Sequence, residues 1–370
     1  NVEIELFKLD METSKGIPQG KATLEGAEFI WKYYDGYYTR NNLPSTPTRT
    51  WTTRTKAEKG NDGTNHYITR LSDSYKVSGD SFYTQNDVIC LPLGTITVEE
   101  KSAPNGYLLD GAYLHINGTS EQVTGVYVAQ VTENGERAIL NGGNQYFVSD
   151  KVTRGGVKIQ KRDLETKDTK PQGNADLKNV AFTITSLNEN PVLVEGKLYQ
   201  KNEVVKTIRT GIDGIATTAA DTLPYGRYRI DESTPPEGYL TNGAVSREFD
   251  IVDNEKIVDL TSENQSIYNQ IIRGGVKIQK RDLETKDTKP QGDATIKNTA
   301  FTITSLNENP VLVDGKLYQK NEAVKTIYTG ISGIAKTSID TLPYGHYRID
   351  EVTPPEGYLT NGAVSREFDI

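Results

Sequence analysis

Cysteine is almost absent. Cys90 is the only one in 370 residues, which excludes any internal disulfide. Many small extracellular modules staple their cores with disulfides, so this chain must hold itself together by other means. Histidine is scarce as well: His66, His115 and His346 are scattered and, with one cysteine, make no metal-ligand cluster. Basic charge is not in excess, since 50 Asp+Glu outnumber 42 Lys+Arg and leave a net charge of −8. That excludes a nucleic-acid binder, which needs a basic stripe to meet phosphates. No apolar run approaches the roughly 20 residues of a membrane span. No leader is visible at Asn1, so mature protein or an excised fragment is expected. There is no Gly-rich phosphate loop, no Ser/His/Asp arrangement and no metal set, so neither an enzyme nor a cofactor is expected.

What is abundant is Thr, Val, Ile, Tyr and Gly, without any long 3.6-period segment. This composition predicts an all-β protein. It is organised by a repeat. GGVKIQKRDLETKDTKPQG begins at Gly155 and again at Gly274, a period of 119 residues. The two copies remain roughly 85 per cent identical to the end of the chain, and a period this long is a whole domain rather than a solenoid turn. A more distant copy precedes them. ELFKLDMETSKGIPQG at Glu5, GAEF at Gly26, TVEEKSAPNGYL at Thr97 and YFVSDKVTRGG at Tyr146 echo the later pieces in the same order. Boundaries fall near Thr153 and Ile272, giving units 1–153, 154–272 and 273–370. The Arg-Gly-Gly junctions are too short for flexible linkers, so the units should sit as closely spaced beads. Unit 1 has a longer middle, rich in aromatics. Unit 3 stops at Ile370, without a counterpart of residues 252–273 and so without its last strand.

Side chains alternate between the faces of a strand. In VKIQKRD, Val157 and Ile159 mark the core face, and Lys161 shares it. Val2, Ile4, Leu6 and Lys8 align in the same way, as do Val276, Ile278 and Lys280. A later strand puts Glu232 inward with Tyr228 and Ile230. Its counterparts place Glu100 with Ile96 and Val98, and Glu351 with Tyr347 and Ile349. The final strand turns Asn269 inward between Ile267 and Ile271, and Asp150 between Val148 and Val152. Each complete unit therefore aims a Lys, a Glu and an Asn or Asp at its own core. Burying isolated charges costs several kcal/mol. Desolvation lowers a Lys pKa and raises a Glu pKa, and a neutral amine is a nucleophile. In contact, such groups could form an amide, with ammonia leaving from Asn or water from Asp. The plainer alternative is a buried polar network without covalent closure.

These pieces together resemble the Cna B-type (collagen-adhesin B, or SpaA-like) domains of Gram-positive adhesins and pilins. The matching motifs are KRDLET and KLDMET, the turns LPYGRY and LPYGHY, and the boxes DESTPPEGY, DEVTPPEGY and EEKSAPNGY. The final YNQ or VSD completes them. The resemblance implies tandem immunoglobulin-like β-sandwiches with spontaneous intramolecular isopeptide bonds. By position it implies a Lys8–Asp150 bond assisted by Glu100 and a Lys161–Asn269 bond assisted by Glu232. Lys280 and Glu351 would await a partner beyond Ile370, and a groove open to a strand from another molecule is expected there. It further implies an extracellular stalk or pilus shaft, anchored to the cell wall or linked by sortase to its neighbours. The alternative is an adhesin in which unit 1 binds a host protein or glycan.

Other features weigh less. Cys90 could form a thioester with a glutamine such as Gln130, but a small buried hydrophobe is the better reading. The aromatic stretch from Phe29 to Tyr38 could be a binding patch, though alternating aromatics more often pack. Asn117-Gly-Thr matches a glycosylation sequon, a chance match given the bacterial source that the resemblance implies. Pro235 and Pro354 open Pro-Pro-Glu-Gly turns, read as turn chemistry alone.

Overall fold

The computed structural model describes residues 4–116, 122–124, 126–133, 146–241, 245–360 and 364–370. The Asn117 sequon lies outside them. Among the described residues the regular structure is β-strand, apart from one 3-10 turn at Arg40–Asn42.

Among the described residues three large hydrophobic cores follow one another along the chain, with a small cluster at each junction between them. The first draws on residues from Ile4 to Val148, the second from Val157 to Ile267, and the third is centred on Phe301, Ile303 and Tyr347. Each lies between facing sheets, as in an immunoglobulin-like sandwich. In the first unit one sheet runs Gln122–Thr124, Tyr107–Ile116, Tyr146–Val152, Glu5–Asp10, Asn65–Arg70, Lys56–Lys59. The facing sheet runs Tyr127–Val131, Gly94–Ser102, Glu28–Tyr34, Arg49–Arg54, Lys76–Gly79.

The second unit keeps this plan of two facing sheets. Arg154–Asp163 is central to one sheet. It pairs in parallel with Lys256–Leu260 and then with Ile267–Asn269. The facing sheet is Val204–Arg209, Ala181–Ser186, Gly226–Glu232, Arg247–Ile251. The Leu223-Pro224-Tyr225-Gly226 turn is held by Tyr228, which is fully buried and donates its hydroxyl back to the Pro224 carbonyl at 2.8 Å. The third unit repeats this bond between Tyr347 and Pro343.

Strand alternation turns all three lysines inward; two of them, Lys8 and Lys161, are fully buried on the core face, and Lys280 is only half-buried. The aromatics of the first unit's long middle are core as well. Phe29, Trp31, Tyr33, Tyr34 and Trp51 are buried, with only Tyr37 well exposed. A strand that buries alternate aromatics cannot also offer them to a ligand, which removes most of the proposed binding patch.

In the third unit the four-stranded sheet survives as Ala323–Tyr328, Ala300–Ser305, His346–Thr353, Ser365–Asp369. The other sheet is reduced to two short pairs, Arg273–Gly274 with Leu342–Pro343 and Lys277–Gln279 with Ile334–Lys336. An open groove lies beside the Lys277–Gln279 strand, lined by Lys280, Asp282, Leu283, Glu351 and Val364.

Candidate functional site

Parallel pairing of the first and last strands sets the geometry. Lys161 stands opposite Ile267 and Asp163 opposite Asn269; Lys8 stands opposite Val148 and Asp10 opposite Asp150. The lysine is thus offset by two residues from its candidate partner, on the same face of the sheet. That diagonal spacing is within reach of a long side chain. The glutamate arrives from the facing sheet, on the Gly94–Ser102 or Gly226–Glu232 strand. Three strands of two sheets therefore converge on one point in the core.

In unit 1, Lys8 Nζ donates to both carboxylate oxygens of Glu100, at 2.7 and 2.6 Å, and lies 2.7 Å from Asp150 Oδ1. The side chains of Lys8 and Asp150 are fully buried. Neither Asp150 oxygen is in hydrogen-bond geometry with a described residue. In unit 2, Lys161 Nζ donates to Asn269 Oδ1 and lies 3.1 Å from Glu232 Oε2. Asn269 Nδ2 donates to Glu232 Oε1 at 2.8 Å. Glu232 thus touches both the amine and the amide nitrogen that would leave. In unit 3, Lys280 Nζ reaches Glu351 Oε2 at 3.0 Å, and its side chain keeps 17% exposure where Lys8 and Lys161 keep none.

Aromatic rings wall the cluster. The phenylalanine of the neighbouring strand sits directly opposite the glutamate: Phe29 opposite Glu100 and Phe182 opposite Glu232. Both rings are buried, and Phe29 lies under the Lys8 ammonium at 5.8 Å. Burial pushes the Glu100 carboxyl up to about 8. Burial pushes the Lys161 amine down to about 8. Both shifts favour the neutral amine and neutral acid, because desolvation penalises the charged forms.

A second polar cluster lies one pleat beyond the lysine, and no role for it had been expected from the sequence. Asp10 accepts from the Tyr107 hydroxyl at 2.8 Å, from Gln19 Nε2 at 3.1 and 3.2 Å and from the Thr13 amide at 2.8 Å. Asp163 repeats this with Tyr239, Gln172 and the amides of Glu165 and Thr166. The Tyr of the Pro-Pro-Glu-Gly-Tyr segment is therefore an anchor to the first strand, so turn chemistry is not its whole role. The signal was present, since K-x-D-x-E-T…P-Q-G occurs three times beside the lysine.

The thioester pair is not brought together. Cys90 sits opposite Tyr83 in a hairpin separate from both sheets, whereas Gln130 lies on Tyr127–Val131 and donates to the Tyr38 carbonyl.

The model of the SpaA prealbumin-like fold domain matches residues 156–266 and again 275–370, more than half of the chain. The chain belongs to this family. A search of curated proteins finds no match. Among solved structures, the Bacillus anthracis TIE protein is similar over the whole chain at 23% identity and a TM-score of 0.51. The chain spans 48% of that protein's length. The major pilin subunit BcpA of Bacillus cereus is similar over the whole chain and 95% of its own, at 13% identity and a TM-score of 0.28. A shaft pilin SpaA mutant from Lactobacillus rhamnosus GG is similar over 73% of the chain and 97% of its own, at 14% identity and a TM-score of 0.24. The SpaA prealbumin-like match covers units 2 and 3, and the TIE likeness carries the fold to unit 1.

Proposed function

We propose that this chain is a load-bearing segment of an extracellular Gram-positive surface protein or pilus, closed in units 1 and 2 by autocatalytic amide bonds. The observation that carries the reading is the burial of Lys, Glu and Asp or Asn in mutual contact, bridging the first and last strands. Such a cluster is expensive as separate charges. Covalent closure removes the charge and the unpaired polar atoms together.

The chemistry needs no external reactant. Neutral Lys161 Nζ attacks Cγ of Asn269, and the carbonyl oxygen takes up the displaced electron pair. Glu232, which accepts from Asn269 Nδ2 and lies beside Lys161 Nζ, relays a proton from the amine to Nδ2. The Cγ–Nδ2 bond then breaks, ammonia leaves, and an Nζ–Cγ amide remains. In unit 1 Glu100 plays this part, and one oxygen of Asp150 leaves as water, taking one proton from the amine and one from the acid form of Glu100. Fixing the groups in a packed core supplies the effective concentration that free side chains lack. The reaction occurs once per unit and makes structure, so it is not enzyme turnover.

In unit 2 the link spans 108 residues, which the chain-entropy account of cross-links makes worth roughly 4–5 kcal/mol. Its mechanical effect is larger. Force entering at Arg154 and leaving after Asn269 passes along two adjacent parallel strands, and a bond between them carries that force past the sandwich. Slow unfolding under load is what a stalk requires. The burial of unit 1's aromatics favours the stalk over unit 1 as an adhesive tip.

Single-molecule pulling from the two ends tests the reading. Unit 3 should extend, while units 1 and 2 contribute almost no unfolding length. Full extension of units 1 and 2 would overturn it.

A further inference from the structure

The two junctions between units are the same interface, built twice at the 119-residue period. Glu12 of unit 1 holds Arg154 by a bidentate pair at 2.8 and 2.6 Å, and Glu165 of unit 2 holds Arg273 at the same two distances. Each Arg also donates to a carbonyl of its own unit, Leu193 or Leu312, at 2.7 Å. The amides of those leucines donate back across the junction, to Gln19 Oε1 at 2.8 Å and Gln172 Oε1 at 2.9 Å. Gly20 donates to the Pro191 carbonyl and Gly173 to the Pro310 carbonyl, each at 3.2 Å. The next amides, of Lys21 and Asn174, donate to Tyr225 and Tyr344 carbonyls. A Cβ on Gly20 or Gly173 would come within 2.0 Å of those tyrosine carbonyls.

Unit 3 carries the same half-interface uncovered. Gln291 holds Asp282 and Glu284 just as Gln172 holds Asp163 and Glu165, so the face is already shaped. Gln19 and Gln172 are buried, however, whereas Gln291 and Glu284 are exposed. Gly292 keeps the positive φ of its counterparts (54° against 58°), yet a Cβ there would meet nothing within 4 Å. Gly357 lacks the tyrosine ring that lies against Gly106 and Gly238.

We propose that this face of unit 3 is a docking socket for a further unit of the same repeat. The incoming unit would present the Arg of its leading Arg-Gly-Gly to Glu284, its leucine amide to Gln291, and its proline and tyrosine carbonyls to Gly292 and Asp293. The charge complementarity of Glu284 and continuity with two existing interfaces select this occupant. A unit docked there would repeat the geometry of the two existing junctions. This inference rests on the junctions and is independent of amide closure.

Hydrogen exchange of the Gly292 and Asp293 amides tests it in two longer chains. One carries a second copy of residues 252–272 after Ile370, which completes unit 3 alone. The other carries a second copy of 252–370, which adds a further unit. In the second chain both amides should slow by on the order of 100-fold, to the rates of Gly173 and Asn174. In the first they should stay fast. Equal rates in the two chains would overturn the proposal. So would Gly292→Ala in the longer chain if Asp293 kept its protection while the rest of unit 3 stayed folded.

Discussion

Units 2 and 3 have nearly the same sequence and differ in what lies beside the first strand. In unit 2, Arg154–Asp163 is a ten-residue strand flanked in parallel by Lys256–Leu260 and Ile267–Asn269. Its counterpart in unit 3 shrinks to Lys277–Gln279. Val157, Ile159 and Lys161 are fully buried, whereas Val276, Ile278 and Lys280 are only half-buried. The four-stranded sheet opposite is unchanged. The closing strands therefore do two things at once: they seal one side of the core, and they dehydrate the lysine that is proposed to react. Burial and reactivity are one property here, because an amine open to water stays protonated and inert.

The largest way to test this comparison is to repair unit 3. Adding a second copy of residues 252–272 after Ile370 restores both closing strands and an asparagine. The lengthened chain should lose one further ammonia and gain roughly 4–5 kcal/mol in that unit, as expected for a cross-link of this span. Mass spectrometry and thermal unfolding read the two effects. An added segment that leaves the expected ammonia in place would separate burial from reactivity.

A smaller effect is the pH dependence of closure, followed by mass during refolding of chain isolated denatured. Only the unprotonated amine attacks. In unit 2 the rate should rise about tenfold per pH unit below about 8, where Lys161 loses its proton, and flatten above it. In unit 1 the required acid form of Glu100 disappears above about 8, so closure there should slow as pH rises further. Identical profiles in the two units would contradict these roles.

The smallest effect is in packing. Ile159→Ala, at a fully buried site, should destabilise unit 2 by about 2–5 kcal/mol, whereas Ile278→Ala at a half-buried site should cost unit 3 about 1 kcal/mol. Denaturant unfolding measures both, and equal losses would mean that the two cores are equally closed.

Strand alternation was enough to turn Lys8, Lys161, Glu232 and Asn269 inward, because a two-residue period is local and survives any change of partner. It could not show that the first and last strands run parallel, nor the two-residue offset between Lys161 and Asn269, since register belongs to strand pairing. The Asp10, Gln19 and Tyr107 cluster was missed for a related reason. Asp10 ends the first strand and Gln19 lies in the loop after it, but Tyr107 opens a strand 97 residues after Asp10, and only the threefold recurrence of their motifs linked them. Glu12 and Glu165 carried no signal of a junction role, because the arginine each one holds belongs to the next unit. The aromatics of unit 1 were ambiguous because burial of an alternating strand depends on the sheet that covers it.

The most direct measurement is the intact mass of the purified, folded chain. Closure in units 1 and 2 but not in unit 3 predicts a deficit of one water and one ammonia from the sequence mass. A mass equal to that of the sequence would contradict it, reducing the three clusters to buried polar networks and leaving the sandwiches without a covalent clamp.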